Sequence, residues 1–302
     1  MKRSRTGIAL LFIGFLVVGF LAVLITLAFL TESDEETTSV AEVLGTSEKI
    51  GVVPIEGTIS SADDIIKQLR KFRKKSSIKA VLLRINSPGG AVAPAQEIYR
   101  EIERTKAKKP VVASMETVGA SAAYYIASNA DRVVCSAGTI TGSIGVIMFM
   151  AEVHKAINKI GVDVNVIKAG KYKDIGSGVR PMSEEERKLL ESFAKQIHEQ
   201  FIKDVAQGRK GKIDEDKLRS ICDGSFFTGE RAKELGLVDS LGNFYDAVEV
   251  AAKLAGIKGD PKLVYPEKKW GGLVDLLSGS LGRLAQSLSD KVRVSPPSLW
   301  VY

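Results

Sequence analysis

The feature that most constrains this chain is its start. Gly7–Leu30 is an unbroken run without a charge, and about 20 apolar residues are enough to carry a helix across a bilayer. Lys2, Arg3 and Arg5 precede the run, while Glu32, Asp34, Glu35 and Glu36 follow it. The positive-inside rule then expects residues 1–6 in the cytoplasm, 7–30 as a transmembrane signal anchor, and everything from Thr31 onward on the far side of the cell membrane. A cleaved secretory signal would have a shorter apolar stretch, roughly 7–15 residues, closed by small residues. Ala28-Phe29-Leu30 closes this one poorly. Residues 31–48 are acidic and poor in aromatics. As a flexible tether spanning about 5–6 Å × √n, they hold the next domain on the order of 25 Å from the bilayer.

Composition narrows the choices for the domain beyond the tether. The chain has 302 residues, 45% apolar and 26% charged, a globular balance that leaves room for a large core. Its two cysteines, Cys135 and Cys222, cannot make a disulfide framework or a four-cysteine zinc site, and read as buried free thiols. With only His154 and His198 available, a multi-histidine metal centre is not expected, and any Ser-His-Asp triad would have to use one of them. Neither histidine belongs to a motif, so both read as surface or packing residues. The net charge is +7, but the basic residues are interleaved with acids and form no aromatic-studded stripe, so nucleic acid is not an expected partner. Nothing points to a metal, nucleotide or organic cofactor.

From Lys49 onward, short β-branched runs (Ile50–Val53, Val81–Ile85, Val111–Ser114, Arg132–Cys135, Val162–Ile167) alternate with amphipathic stretches (Ala62–Lys75, Ala93–Lys106, Ser121–Asn129, Ser183–Gln207). That alternation predicts βα units, a mostly parallel sheet and an α/β fold in one copy over 49–258. In 259–302 the pattern breaks at Pro261 and Pro266 and resumes in Trp270–Leu288. There Leu273, Leu277, Leu281, Leu284 and Leu288 form one apolar stripe. Packing against the core or a neighbouring subunit is the plain reading, and an interfacial membrane helix is the alternative.

Three segments carry chemistry. Arg84-Ile85-Asn86-Ser87-Pro88-Gly89-Gly90 follows an apolar strand, and two glycines at a strand-to-helix corner can bring bare N–H groups to an oxyanion. Gly119-Ala120-Ser121-Ala122-Ala123 sets a serine at a helix start among very small residues. It reads as either a nucleophile or a plain N-cap. Ala169–Pro181 clusters Lys171, Lys173 and Arg180, which reads as either a solvated basic loop or the source of a lysine base. An ordinary lysine, at a pKa of about 10.4, is neutral in roughly one molecule in 2,500 at pH 7. A lysine base therefore needs burial and nearby cations, and Lys168, Lys171 and Arg180 are near Lys173 in sequence.

Taken in order, these segments resemble the signal peptide peptidase A family of membrane-anchored serine proteases. The resemblance runs from about Lys49 to Gly256. It includes Arg84–Gly90, Ser121 in Ala-Ser-x-x-Tyr-Tyr-Ile, Thr141-Gly142-Ser143-Ile144-Gly145-Val146, Gly170-x-x-Lys173 with Arg180–Arg187, and Asp223–Gly229 with Gly236-Leu237-Val238-Asp239. It implies a Clp-protease/crotonase-like α/β fold, Ser121 as nucleophile and Lys173 as general base. It also implies an oxyanion hole from Gly89, Gly90 and the N–H of Ala122, with Lys171 as a fallback base. Ala122-Ala123 stands where the family more often has two glycines, which leaves the width of the groove open because two methyls sit beside the nucleophile. Gly178 stands where proline is more familiar, which predicts a looser loop around Lys173.

The resemblance further implies acyl-enzyme hydrolysis of signal peptides and similar small apolar peptides. The implied assembly is a homo-oligomeric ring, of eight, in which one protomer's lysine completes the site around its neighbour's serine. A related membrane peptidase that trims apolar tails of membrane-scaffold proteins would keep the same residues. A non-catalytic ring-forming scaffold would keep only the fold.

Overall fold

The computed structural model describes residues 48–266. The run Gly7–Leu30, the tether up to Ser47 and the leucine stripe of Trp270–Leu288 lie outside the described residues. Among the described residues, no helix is long and apolar enough to cross a membrane.

In chain order the elements are β1 (Lys49–Ile59), α1 (Asp63–Lys74), β2 (Ile78–Gly90), α2 (Val92–Lys106), β3 (Val111–Ala120), α3 (Ala122–Ser128), β4 (Arg132–Cys135), β5 (Ile140–Gly142), α4 (His154–Lys159), α5 (Glu184–Gly208), α6 (Glu215–Ile221), β6 (Phe226–Thr228), α7 (Gly229–Glu234), β7 (Ser240–Leu241), α8 (Phe244–Ala255) and β8 (Lys262–Val264). The expected α/β alternation is present. One sheet runs β6-β5-β3-β2-β1-β8, with β4 beside β3 and β7 beside β4. All pairs are parallel except β5 with β6.

A parallel sheet is covered on both faces, so its central strands read as continuous apolar runs. Val81, Leu82 and Leu83 are all fully buried, with Val81 and Leu83 on the face covered by α1, α2, α3 and α5 and Leu82 on the α8 face. Burial of each such side chain contributes about 1.5–3 kcal/mol. Pro54 is tolerated in β1 because β8 pairs only with Lys49–Gly51, which leaves that side of Pro54 without a ladder donor to supply.

The helix boundaries have local causes. In α1, Asp63 and Asp64 stand in the first turn and Lys71, Arg73 and Lys74 in the last, as the helix dipole favours. In α5, Ser183 and Glu186 form a reciprocal capping box. Asn243 and Asp246 do the same for α8, which Gly256 closes in the left-handed conformation. Cys135 and Cys222 are buried and unbridged, and burial pushes their thiols up to about 11 and about 12.

Two expectations fail. Val162–Ile167 forms no strand: Val162, Val164, Val166 and Ile167 are exposed, and this β-branched run lies against no strand edge among the described residues. The first strand-to-helix corner also differs, because β2 does not end at Ile85. It continues through Gly90 beside Ile59 of β1, and the chain turns at Ala91.

Candidate active site

Ser121 stands between the end of β3 and the first turn of α3 with φ 53° and ψ −124°. That conformation is strained for any residue with a Cβ. It is held from both sides: Ser121 N–H donates to Gly142 O at 2.9 Å, and Ser121 O accepts from Tyr125 N–H at 2.8 Å. The hydroxyl caps nothing, which removes the plain N-cap reading. A strained serine at a sharp strand-to-helix turn, with its hydroxyl released from capping, has the geometry of a presented nucleophile.

All seven residues of α3 are buried, and that fixes the platform beneath Ser121. Tyr124 Oη donates to Leu237 O at 2.9 Å, Tyr125 Oη donates to an Asp204 carboxylate oxygen, and Tyr99 Oη donates to Asp204 O at 2.8 Å. Burial keeps the Tyr124 and Tyr125 phenols well above their ordinary value, so both stay neutral. The methyls of Ala122 and Ala123 are 5% and 0% exposed and belong to the core.

Gly89 lies against this corner. A Cβ there would come within 2.8 Å of Ser121 Cβ and 2.9 Å of both Ala120 O and Ala122 N, at a φ of 110° that side chains rarely adopt. Gly90 sits against β1, where a Cβ would meet Ile59 O at 2.2 Å. Backbone from β2 thus closes directly onto Ser121 because both residues lack side chains. Gly89 N–H donates to the buried Ser87 Oγ at 3.1 Å.

Lys173 comes from a different kind of structure. It is exposed, in a run of turns between Gly170 and Arg180. Asp174, next to it, is the anchor of that run. It accepts from Arg180 Nε at 2.8 Å and Nη2 at 2.9 Å and from Lys168, and Arg180 Nη1 reaches Glu186 at 2.9 Å. The Arg180 and Lys168 hydrogen bonds hold the Asp174 carboxyl well below the usual range, and Arg180 brings Glu186 down to about 2.

The cations expected to help a lysine base are therefore already neutralised. Lys171 is also engaged, at 2.6 Å from both Glu185 oxygens, which raises its pKa and disfavours the neutral form that a base needs. Gly178 does not loosen the loop. It is buried at φ 73°, a Cβ would lie 1.9 Å from Ala151 O, and its own carbonyl accepts from Val153 N–H at 2.9 Å and His154 N–H at 3.1 Å. Only glycine fits this crossing.

The contacts that build the Ser121 corner come from β2, β3, β5 and α3, and Gly89, Ser121 and Ala122 are brought together there. Thr141–Val146 reads in the sequence as a tight turn feeding a strand, with a role near substrate as the alternative. In the structure Ser143 is the other non-glycine residue with left-handed φ among the described residues, at 51°, directly after the carbonyl that holds Ser121. The Gly236–Asp239 motif proves to be a buried anchor. Arg209, fully buried, donates to Gly236 O at 2.7 and 3.0 Å and to Asp239 at 2.8 Å, and Asp239 accepts Val133 N–H at 2.7 Å. Burial opposes ionisation of Asp239, but the Arg209 and Lys212 partners outweigh it and keep its carboxyl below the ordinary value.

Residues 103–258 match the profile of peptidase family S49. A Synechocystis protein named as a protease is 37% identical over 257 residues, covering 84% of this chain and 91% of the relative. A chloroplastic serine protease, SPPA, from Arabidopsis thaliana is 34% identical over 254 residues, 81% of this chain but 37% of that protein. An Enterococcus faecium protein named as a signal peptide peptidase, SppA, is 31% identical over 235 residues, 73% of this chain and 68% of the relative. The strained serine corner thus stands in a chain that belongs to peptidase family S49, the signal peptide peptidase A family, and is a protease.

Proposed function

We propose that the chain is a membrane-anchored serine endopeptidase that clears signal peptides and other small apolar peptides through a Ser121/Lys173 dyad, on a Clp-protease/crotonase-like fold. The observation that carries the proposal is the backbone of Ser121. A positive φ on a half-buried serine that caps no helix has a cost, and its use is to present Oγ. Lys173, in its neutral form, takes the Ser121 proton. Oγ attacks the peptide carbonyl, and the oxyanion is met by Ala122 N–H and the Gly89–Gly90 corner. The protonated lysine gives its proton to the leaving amine. Water, activated by the same base, then releases the acyl group. Gly89 N–H is bonded to Ser87 Oγ, so it joins the oxyanion only as a three-centre donor or by releasing that hydroxyl.

The exposure of Lys173 supports a site completed between protomers of a ring. A lysine base needs a desolvated setting, and in the single chain Lys173 is exposed. The nearby segment displays Ile147, Phe149, Ile160 and Ile167 at 76%, 91%, 76% and 100% exposure. Apolar surface of that kind on a peptidase domain favours burial against another copy of the chain. The anchor read from Gly7–Leu30 sets the assembly at the outer face of the cell membrane, where spent signal peptides emerge.

The test is hydrolysis of an apolar signal-like peptide by Ser121→Ala and Lys173→Ala, alone and co-expressed. Each alone is expected to lose at least about 10³-fold in rate. Co-expressed, they recover roughly a quarter of wild-type activity if each site takes its serine and lysine from successive protomers of a ring. Activity retained by Ser121→Ala overturns the nucleophile. Absence of recovery in the mixture, with assembly intact, places both groups in one chain.

A further inference from the structure

Ser121 and Ser143, the two non-glycine residues with left-handed φ among the described residues, are joined through one peptide. Gly142 O accepts Ser121 N–H at 2.9 Å, and the next residue is Ser143. Whatever fixes the peptide between Gly142 and Ser143 therefore fixes the backbone of Ser121.

One bond holds that peptide itself and two hold the chain just beyond it. Ser143 N–H donates to Ser225 O at 2.8 Å and Gly224 N–H donates to Ile144 O at 3.2 Å, both from the turn before β6. The third comes from α5, where His198 Nε2 lies 3.1 Å from the same Ile144 O. A carbonyl oxygen only accepts, so Nε2 carries the hydrogen. Ile144 is fully buried and His198 half-buried. Loss of the imidazole would leave that carbonyl with the longer Gly224 bond alone.

We propose that His198 is a positioning residue for the proteolytic centre. Its Nε2–H clamps Ile144 O, which holds the Ser143 peptide in its strained form and so keeps Gly142 O in place to receive Ser121 N–H. The inference rests on Ser121 being the nucleophile. It gives His198 a task that a triad histidine would not have, because its ring nitrogen meets a backbone carbonyl, Ile144 O, and acts through backbone. It also explains why a long helix bearing few buried residues in its first half carries a half-buried histidine at this point.

The experiment uses the full assembled chain and compares wild type with His198→Leu, His198→Gln, His198→Asn and Ser121→Ala. Glutamine carries an amide N–H at about the reach of Nε2, while asparagine stops at about the level of Nδ1. Peptide kinetics, the rate of labelling by a fluorophosphonate and assembly size by sedimentation are measured for each. His198→Leu and His198→Asn are expected to lower kcat about 10- to 100-fold with KM within about twofold, and to slow labelling in parallel, since small misplacements of a reacting group cost rate steeply. His198→Gln should recover most of both. Should leucine fail to fold at that position, asparagine against glutamine makes the same comparison.

Wild-type kcat in His198→Leu or His198→Asn, equal losses in asparagine and glutamine, a rise in KM alone, or a change in assembly size each overturns the clamp. If Ser121→Ala hydrolyses peptide, the nucleophile assignment fails and the clamp with it. If Ser121→Ala is dead and His198→Asn is normal, the clamp alone fails.

Discussion

The region beneath Ser121 and the region around Lys173 are built on opposite plans. Under the serine every residue of α3 is buried, each tyrosine hydroxyl has an acceptor, and the buried Arg209 locks α5 to the Gly236–Asp239 turn. Around the lysine, from Ile147 to Arg180, the chain outside α4 is turns and irregular backbone, many of its apolar side chains are exposed, and ion pairs at the surface tie it together. The difference teaches where each half of the proposed dyad gets its rigidity. The serine is positioned by its own chain's core, while the lysine loop is tied only at a few points and gains a dry environment from whatever covers it.

The contrast can be broken at Arg209. Arg209→Met leaves Asp239 buried with Lys212 as its remaining cationic partner and strips two bonds from Gly236 O. A loss of about 3–5 kcal/mol is expected in urea unfolding of the whole domain, with peptidase activity at low temperature falling in step with the folded fraction. An unchanged midpoint would mean that the anchor under α3 is not what stabilises the serine platform.

A smaller and local effect is expected on the other side. Gly178→Ala forces a Cβ toward Ala151 O at a φ of 73°, at a cost of about 1–2 kcal/mol for the backbone conformation alone. Because residues 150–154 and Gly178 belong to no strand, hydrogen exchange should rise around Val153 and Gly178 while β1–β3 stay protected. Rising exchange in β3 would show that the two regions are not independent.

The gentlest prediction concerns acid. Glu186 and Asp174 titrate below their ordinary values in the folded chain, so the unfolded chain binds more protons as pH falls. Their contribution is full above the ordinary glutamate value of 4.5 and is lost as pH drops toward about 2. Exchange at 173–186, corrected for intrinsic rates, should be flat from pH 7 to about 5 and increase below that, with Arg180→Met abolishing the step. A step of the same size in Arg180→Met would remove the Arg180 pairs as its cause.

Much of this was legible from residue order. The βα alternation, the long helical stretch from Ser183 and the apolar central strands follow from periodicity, which acts over a few residues and needs no partner. The motif at Ser121 was legible as a serine at a helix start, but its release from capping was not, because φ at that residue is set by Gly142 O and by the close approach of Gly89. The strand expected at Val162–Ile167 shows the converse limit: β-branched alternation states only that a run could pair, and pairing needs an edge at the right distance.

The chain's own residues thus determined which elements form, where Gly89, Ser121, Ala122 and Lys173 fall along them, and which family the chain joins. Tertiary structure decided the rest. It turned Ala122 and Ala123 into the core, spent the cations around Lys173 on Asp174, Glu185 and Glu186, made Gly178 obligatory and set His198 on Ile144 O. Each of these depends on groups distant in sequence meeting at ångström range, where sterics and hydrogen bonds, unlike periodicity, leave no trace in local order.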